Sequence, residues 1–179
     1  SKRQRASAAV LDITLDRFKR INETLGHALG DHVLEEVGRR IVESIRAGDL
    51  AGKMRSAPQT DAYARMGGDG FAVFLSEVKR AEDAAAIARR LSAAIAQPMQ
   101  CGEHEIALTA SIGIAVYPEN GDEVGTLLKN AETAMHSAKG HKAGTYCFFS
   151  PTMNAQALLK LETENDLRGA IERDELVLF

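Results

Sequence analysis

Residues 63–75 read YARMGGDGFAVFL. Two apolar runs meet at Gly67-Gly68-Asp69-Gly70, and three glycines in four residues give the backbone the freedom a tight reversal needs. The stretch therefore predicts a hairpin, with strands over 61–66 and 71–77. One carboxylate, Asp69, is kept at its tip. The apolar pattern elsewhere switches between period 2 and period 3.6. Residues 8–15 predict a strand, with Ala9, Leu11, Ile13 and Leu15 on one side and Val10, Asp12 and Thr14 on the other. Residues 105–117 alternate in the same way, from Ile106 to Val116, and TYCFF (145–149) predicts a short strand.

Amphipathic helices are expected over 32–46, 81–96 and 123–139, the last with Val124, Leu127, Leu128, Ala131 and Met135 inward. Residues 16–30 predict a short helical turn and a polar loop, and residues 47–60 a loop. Ser150-Pro151 predicts a further helix, serine capping and proline first. It runs to about residue 174, is polar on most faces, and reads as a linker. DELVLF then begins another strand. Strands joined partly by hairpins and partly by helices imply an α/β (α+β) sandwich, a mostly antiparallel sheet flanked by helices.

The chain has 179 residues, enough for one domain with its own core. A net charge of −3 and no long basic run give no argument for nucleic acid or an anionic membrane surface. No apolar run is long enough to span a bilayer. Cys101 and Cys147 are too few for a disulfide framework and lack metal-ligand spacing, so reduced thiols in a cytoplasmic protein are expected. The start, SKRQRASAAV, has no secretory pattern and reads as a cut into a longer chain.

Four stretches occur in order: LDRFKRINETLGHALGDHVL (15–34), ARMGGDGF (64–71), LTASIGIAVYP (108–118) and AETAMHSAKG (131–140). Together they resemble the GGDEF family, the diguanylate cyclases, over residues 8–149. The tail from Phe148 resembles the junction into an EAL domain, the cyclic-di-GMP phosphodiesterase partner of many GGDEF domains. The resemblance therefore implies a GGDEF-like domain over 1–149, a linker helix over 150–174, and the first strand of an EAL-like domain over 175–179. The family's N-terminal LTGLxNR helix has no counterpart here. The implied sheet is related to the palm of nucleotidyl cyclases and polymerases. The implied reaction condenses two GTP molecules, each 3′-hydroxyl attacking the other's α-phosphate.

The resemblance assigns roles residue by residue. Asn22 and Asp31 match the guanine-reading pair; an acid accepts from N1–H and the 2-amino group, an amide bonds O6 or N7. Their bland alternatives are a turn residue and a helix N-cap. Thr14 stands where DxDxFK has its first, metal-ligating Asp, and Asp16 matches the second. A neutral hydroxyl is a poor replacement for a carboxylate on a hard cation. Asp12, about 7 Å up the strand, is a partial substitute or a polar residue on an exposed side. In the signature, Asp69 matches a metal ligand, while Gly70 replaces a glutamate. Gly67 and Gly68 still permit close backbone approach to a phosphate.

Lys139 matches the phosphate-clamp lysine, but its partner arginine is Ala143, with only Lys142 nearby. The inhibitory RxxD site is expected to be absent: Asp61 matches its acid, and Pro58 replaces its arginine. His27, His32, His104, His136, His141 and Ser111 read as scaffold or surface. Three losses, at Thr14, Gly70 and Ala143, imply a domain without cyclase chemistry. Its expected ligand is GTP or another guanine nucleotide, with Mg²⁺ or Mn²⁺ only as the nucleotide's companion. Its expected partners are an adjoining EAL domain and, as a further option, a second copy of itself. Two alternatives stay open: a nucleotide-independent interaction or dimerisation module, and a residually active cyclase.

Overall fold

The computed structural model describes residues 8–51, 62–156, 159 and 163. The chain divides into two units, 1–149 and 150–179. The first is built on a five-stranded sheet. Its strands are β1 (Ala8–Leu15), β2 (Ala62–Gly67), β3 (Gly70–Leu75), β6 (Ala110–Tyr117) and β7 (Tyr146–Phe148), in the order β2-β3-β1-β6-β7. All pairings are antiparallel except β6 with β7. A separate small hairpin joins β4 (Met99–Cys101) and β5 (His104–Ile106). The helices are α1 (Phe18–Leu25), α2 (His27–Ala51), α3 (Ala81–Ala96) and α4 (Val124–His141).

The odd-numbered residues of β1 face the main core, where Leu11, Ile13 and Leu15 meet Val33, Val37 and Ile41 of α2 and Leu91 and Ile95 of α3. The other face is covered by α4, through Val10, Ala115, Leu127 and Ala131. β1 is thus sandwiched, which corrects the expectation that Asp12 lies on an exposed side; it is half-buried beneath α4. A glycine makes this close cover possible. A Cβ on Gly113 would meet Ala131 O at 1.9 Å and Met135 N at 2.2 Å, so only glycine lets the α4 backbone rest on β6. Gly113 is the β6 partner of Asp12, so α4 lies directly over that carboxylate.

Four further expectations are corrected. The predicted strand over 105–117 is broken at 107–109, because Gly102 (φ 63°) turns β4 back into β5 first. Residues 16–30 are mostly helical: Gly26 (φ 87°) links α1 to α2 by itself. α2 runs on to Ala51, into the expected loop. Val124 is 62% exposed, being the first residue of α4 and short of the face that packs. In the second unit, residues 151–156 are helical, and the Ser150 hydroxyl pairs with Thr152 Oγ1 at 2.9 Å. The rest of the expected linker helix, apart from residues 159 and 163, and the strand over 175–179 lie outside the described residues.

Candidate functional site

The hairpin turns on Gly68-Asp69, with Gly67 paired to Gly70. Gly67 (φ 99°) and Gly68 (φ 55°) occupy the left-handed region that resists side chains. Gly70 does not: a Cβ there would meet nothing closer than Gly67 O at 3.4 Å. The turn therefore requires the first two glycines, while position 70 has room for a side chain.

β3 lies beside β1, with Thr14 opposite Gly70. That register carries Asp69 to Thr14, whose hydroxyl donates to Asp69 Oδ2 at 3.2 Å. A cleft of about 630 Å³ opens there, between the hairpin and α4, lined by Asp12, Thr14, Gly67, Asp69, Gly70 and Lys139. Three α4 residues that the sequence had not singled out for this site join them: Lys129, Glu132 and His136. The signal was available, since residues 129, 132, 136 and 139 recur at helical spacing on one stripe. Burial, and then the nearby charge of Glu132, push the Asp12 carboxyl up to about 6.

The divalent metal implied by the resemblance does not fit this donor set. Among the described residues no three His, Cys, Asp or Glu side chains come together as ligands. One Asp69 oxygen already accepts from Thr14, and Asp12 lies half-buried under α4.

Just past the end of β1, the arrangement reverses. Asp16 is buried and fully bonded. Its Oδ1 accepts from Ser111 Oγ at 2.8 Å, and its Oδ2 from Thr109 Oγ1 at 2.7 Å and Gly144 N at 2.9 Å. It ties the end of β1 to β6 and to the loop after α4. Ser111 is thereby explained as a structural donor.

The base-reading candidates sit apart from the cleft, where α1 meets α2. Asn22 lies inside α1, and its carbonyl oxygen is buried without a hydrogen-bond partner among the described residues. A Cβ on Gly30 would lie 1.8 Å from that oxygen, so Asn22 rests against the residue preceding Asp31. Asp31 is exposed in the second turn of α2. Helical bonding is already established there, with Gly30 N donating to Gly26 O at 3.2 Å, so Asp31 is not the helix N-cap and Asn22 is not a turn residue. Lys142 follows the last turn of α4, and Ala143 is exposed beside it. Asp61 and Pro58 lie outside the described residues.

Sheet order, hairpin and motif positions together define a nucleotidyl-cyclase-like domain, and comparison with known proteins agrees. The family described as "Diguanylate cyclase, GGDEF domain" matches residues 1–145. This chain belongs to the GGDEF family. It is 44% identical over 170 residues to the bifunctional diguanylate cyclase/cyclic di-GMP phosphodiesterase MucR of Pseudomonas aeruginosa, covering 95% of this chain and 23% of that protein. It is 32% identical over 169 residues to the cyclic di-GMP phosphodiesterase PdeR of Escherichia coli, covering 94% and 24%. The chain thus spans less than a quarter of the length of these relatives. The crystal structure of the GGDEF domain of YfiN (TpbB) from P. aeruginosa superposes with a TM-score of 0.72 at 37% identity, covering 82% of this chain and 84% of that one. An EAL/GGDEF domain protein from M. capsulatus gives 0.71 at 36%, covering 83% and 88%. No helix among the described residues is long and apolar enough to cross a membrane.

Proposed function

We propose that this domain binds GTP or a related guanine nucleotide without condensing it, and that occupancy tunes an adjoining EAL phosphodiesterase. The observation that carries the first half is the Thr14–Asp69 hydrogen bond. Where the family places a carboxylate for metal, a neutral hydroxyl spends its proton on the remaining acid. Gly70 adds no carboxylate, although the backbone leaves room for one. Losing a preorganised charge at a reaction centre commonly lowers turnover by factors of about 10²–10³. Here two are lost, and Ala143 offers no guanidinium.

The binding half rests on Asn22. A buried acceptor without a partner is costly, and a guanine N–H would satisfy it, in place of the donation to O6 or N7 that the resemblance implies. Its contact with Gly30 brings it next to Asp31, which faces solvent and is open to a base. Mg²⁺ or Mn²⁺ would arrive with the nucleotide rather than reside in the protein. The EAL partner is supported by MucR, whose name joins both activities, and by the EAL/GGDEF protein of M. capsulatus.

Calorimetry with a non-hydrolysable GTP analogue tests the reading. Saturable binding that Asn22→Ala and Asp31→Ala abolish is expected. Gly30→Ala is expected to abolish it too, by displacing the Asn22 amide, with little loss of stability because that amide is the free end of a side chain. No binding at millimolar analogue would leave the nucleotide-independent interaction module as the better account.

A further inference from the structure

A groove of about 380 Å³ lies between α3 and the sheet edge formed by β7, the edge opposite β2. It is lined by Arg89 and Ser92 of α3 and by Gly144, Thr145 and Tyr146. Arg89 and Ser92 are three residues apart, so one face of the helix presents both. Arg89 spans the groove, its Nη1 donating to the Tyr146 hydroxyl at 3.2 Å.

Three side chains are left with donors to spare. Arg89 keeps its Nε and Nη2 hydrogens, which have no partner among the described residues. Tyr146 accepts from Arg89, so its own hydroxyl proton is free to donate. Ser92 Oγ is buried and has no hydrogen-bond partner. A buried polar atom left unpaired is costly, and an incoming oxygen would relieve it. The other polar groups of the lining are already spent. Thr145 Oγ1 donates to Lys142 O at 2.7 Å, and Gly144 N to Asp16 Oδ2 at 2.9 Å.

Charge points the same way. No carboxylate lines this groove, and Asp16, behind Gly144, is held by three donors of its own. The cleft beside the hairpin is different, since Asp12, Asp69 and Glu132 there offset Lys129 and Lys139. A guanidinium fork pairs with two oxygens of one anion, and hydroxyls can take the others. Donors on three side chains suit a tetrahedral oxyanion better than a carboxylate with two oxygens.

We propose that Arg89, Ser92 and Tyr146 form a binding site for phosphate, either the free ion or the head of a small phosphomonoester. Asn22 and Asp31 take no part in it, so it stands apart from the guanine reading. The bound anion would join α3 to the loop after α4, where the Arg89–Tyr146 bond now spans the groove.

The test is titration of the ¹⁵N-labelled 179-residue chain with inorganic phosphate and with phenyl phosphate, followed by amide chemical shifts. Saturable shifts at Ser92, Thr145 and Tyr146 are expected with at least one probe. Tighter binding of phenyl phosphate identifies a phosphomonoester site, and equal or weaker binding the free ion; either result supports the assignment. Arg89→Ala should weaken binding about tenfold or more, and Ser92→Ala and Tyr146→Phe a few-fold each. All three should fold, since Arg89 is exposed, the Ser92 hydroxyl bonds nothing, and phenylalanine keeps the ring. No shift at these amides with either probe overturns the proposal. So do shifts confined to other parts of the chain, or an affinity that Arg89→Ala leaves unchanged.

Discussion

Thr14 lies near the end of β1 and Asp16 just past it, two residues on, and the two carry opposite surroundings. Asp16 keeps a buried carboxylate because three fixed donors surround it. Thr14 has given up its acid, and one hydroxyl–carboxylate bond holds the hairpin instead. The contrast teaches what each carboxylate of the family pattern is for. One is held by the protein's own donors and survives without a ligand. The other would stand beside Asp69 with a cation needed to offset the repulsion, and in a domain that binds nucleotide without condensing it, as proposed, a neutral side chain serves better.

The comparison breaks most sharply at Asp16. Replacing it by alanine strands the Ser111 and Thr109 hydroxyls and the Gly144 N–H, and should cost about 3–5 kcal/mol, read as a lower urea midpoint. A loss under about 1 kcal/mol would mean the network is not structural. Thr14→Asp is the converse. Without metal it should destabilise by about 1–2 kcal/mol through repulsion from Asp69. Added Mg²⁺ should recover that loss in a thermal melt while leaving the unchanged protein's melting temperature alone. A Mg²⁺ response in the unchanged protein would show that its donors do hold a metal.

Asp12 sharpens the picture through pH. Its folded pKa is raised from 3.8 to about 6, so its contribution to stability is fully present below pH 4 and lost as pH rises through 6. A shift of that size is worth about 1–3 kcal/mol once residual solvent is allowed for. Asp12→Asn should therefore gain stability on the parent between pH 4 and 7. A constant gap across that range would show the carboxylate to be well solvated. The smallest effect expected is from Thr14→Val, at about 0.5–1.5 kcal/mol for one partly buried hydrogen bond, measured by the same denaturation.

Much of the frame was legible in the sequence because it rests on periodicity. β1, α3 and the glycine hairpin fell where alternation, the 3.6 repeat and GGDG put them. Asn22, Asp69 and Thr14 were singled out only through motif resemblance. The rest depended on contacts distant in sequence. Asp12 looked exposed because nothing in a strand pattern says that Gly113, 101 positions away, admits a helix backbone over it. Asp31 looked like an N-cap because one glycine, Gly26, replaces the longer loop that polarity suggested. Lys129, Glu132 and His136 could have been read from the stripe they share with Lys139.

The central claim is that the domain retains guanine nucleotide and leaves it unchanged. It is tested most directly by equilibrium dialysis of the chain against GTP with Mg²⁺, followed by chromatography of the retained nucleotide. The account predicts that GTP is held by the protein and recovered intact. Recovery of cyclic-di-GMP, or no retained nucleotide, would contradict it.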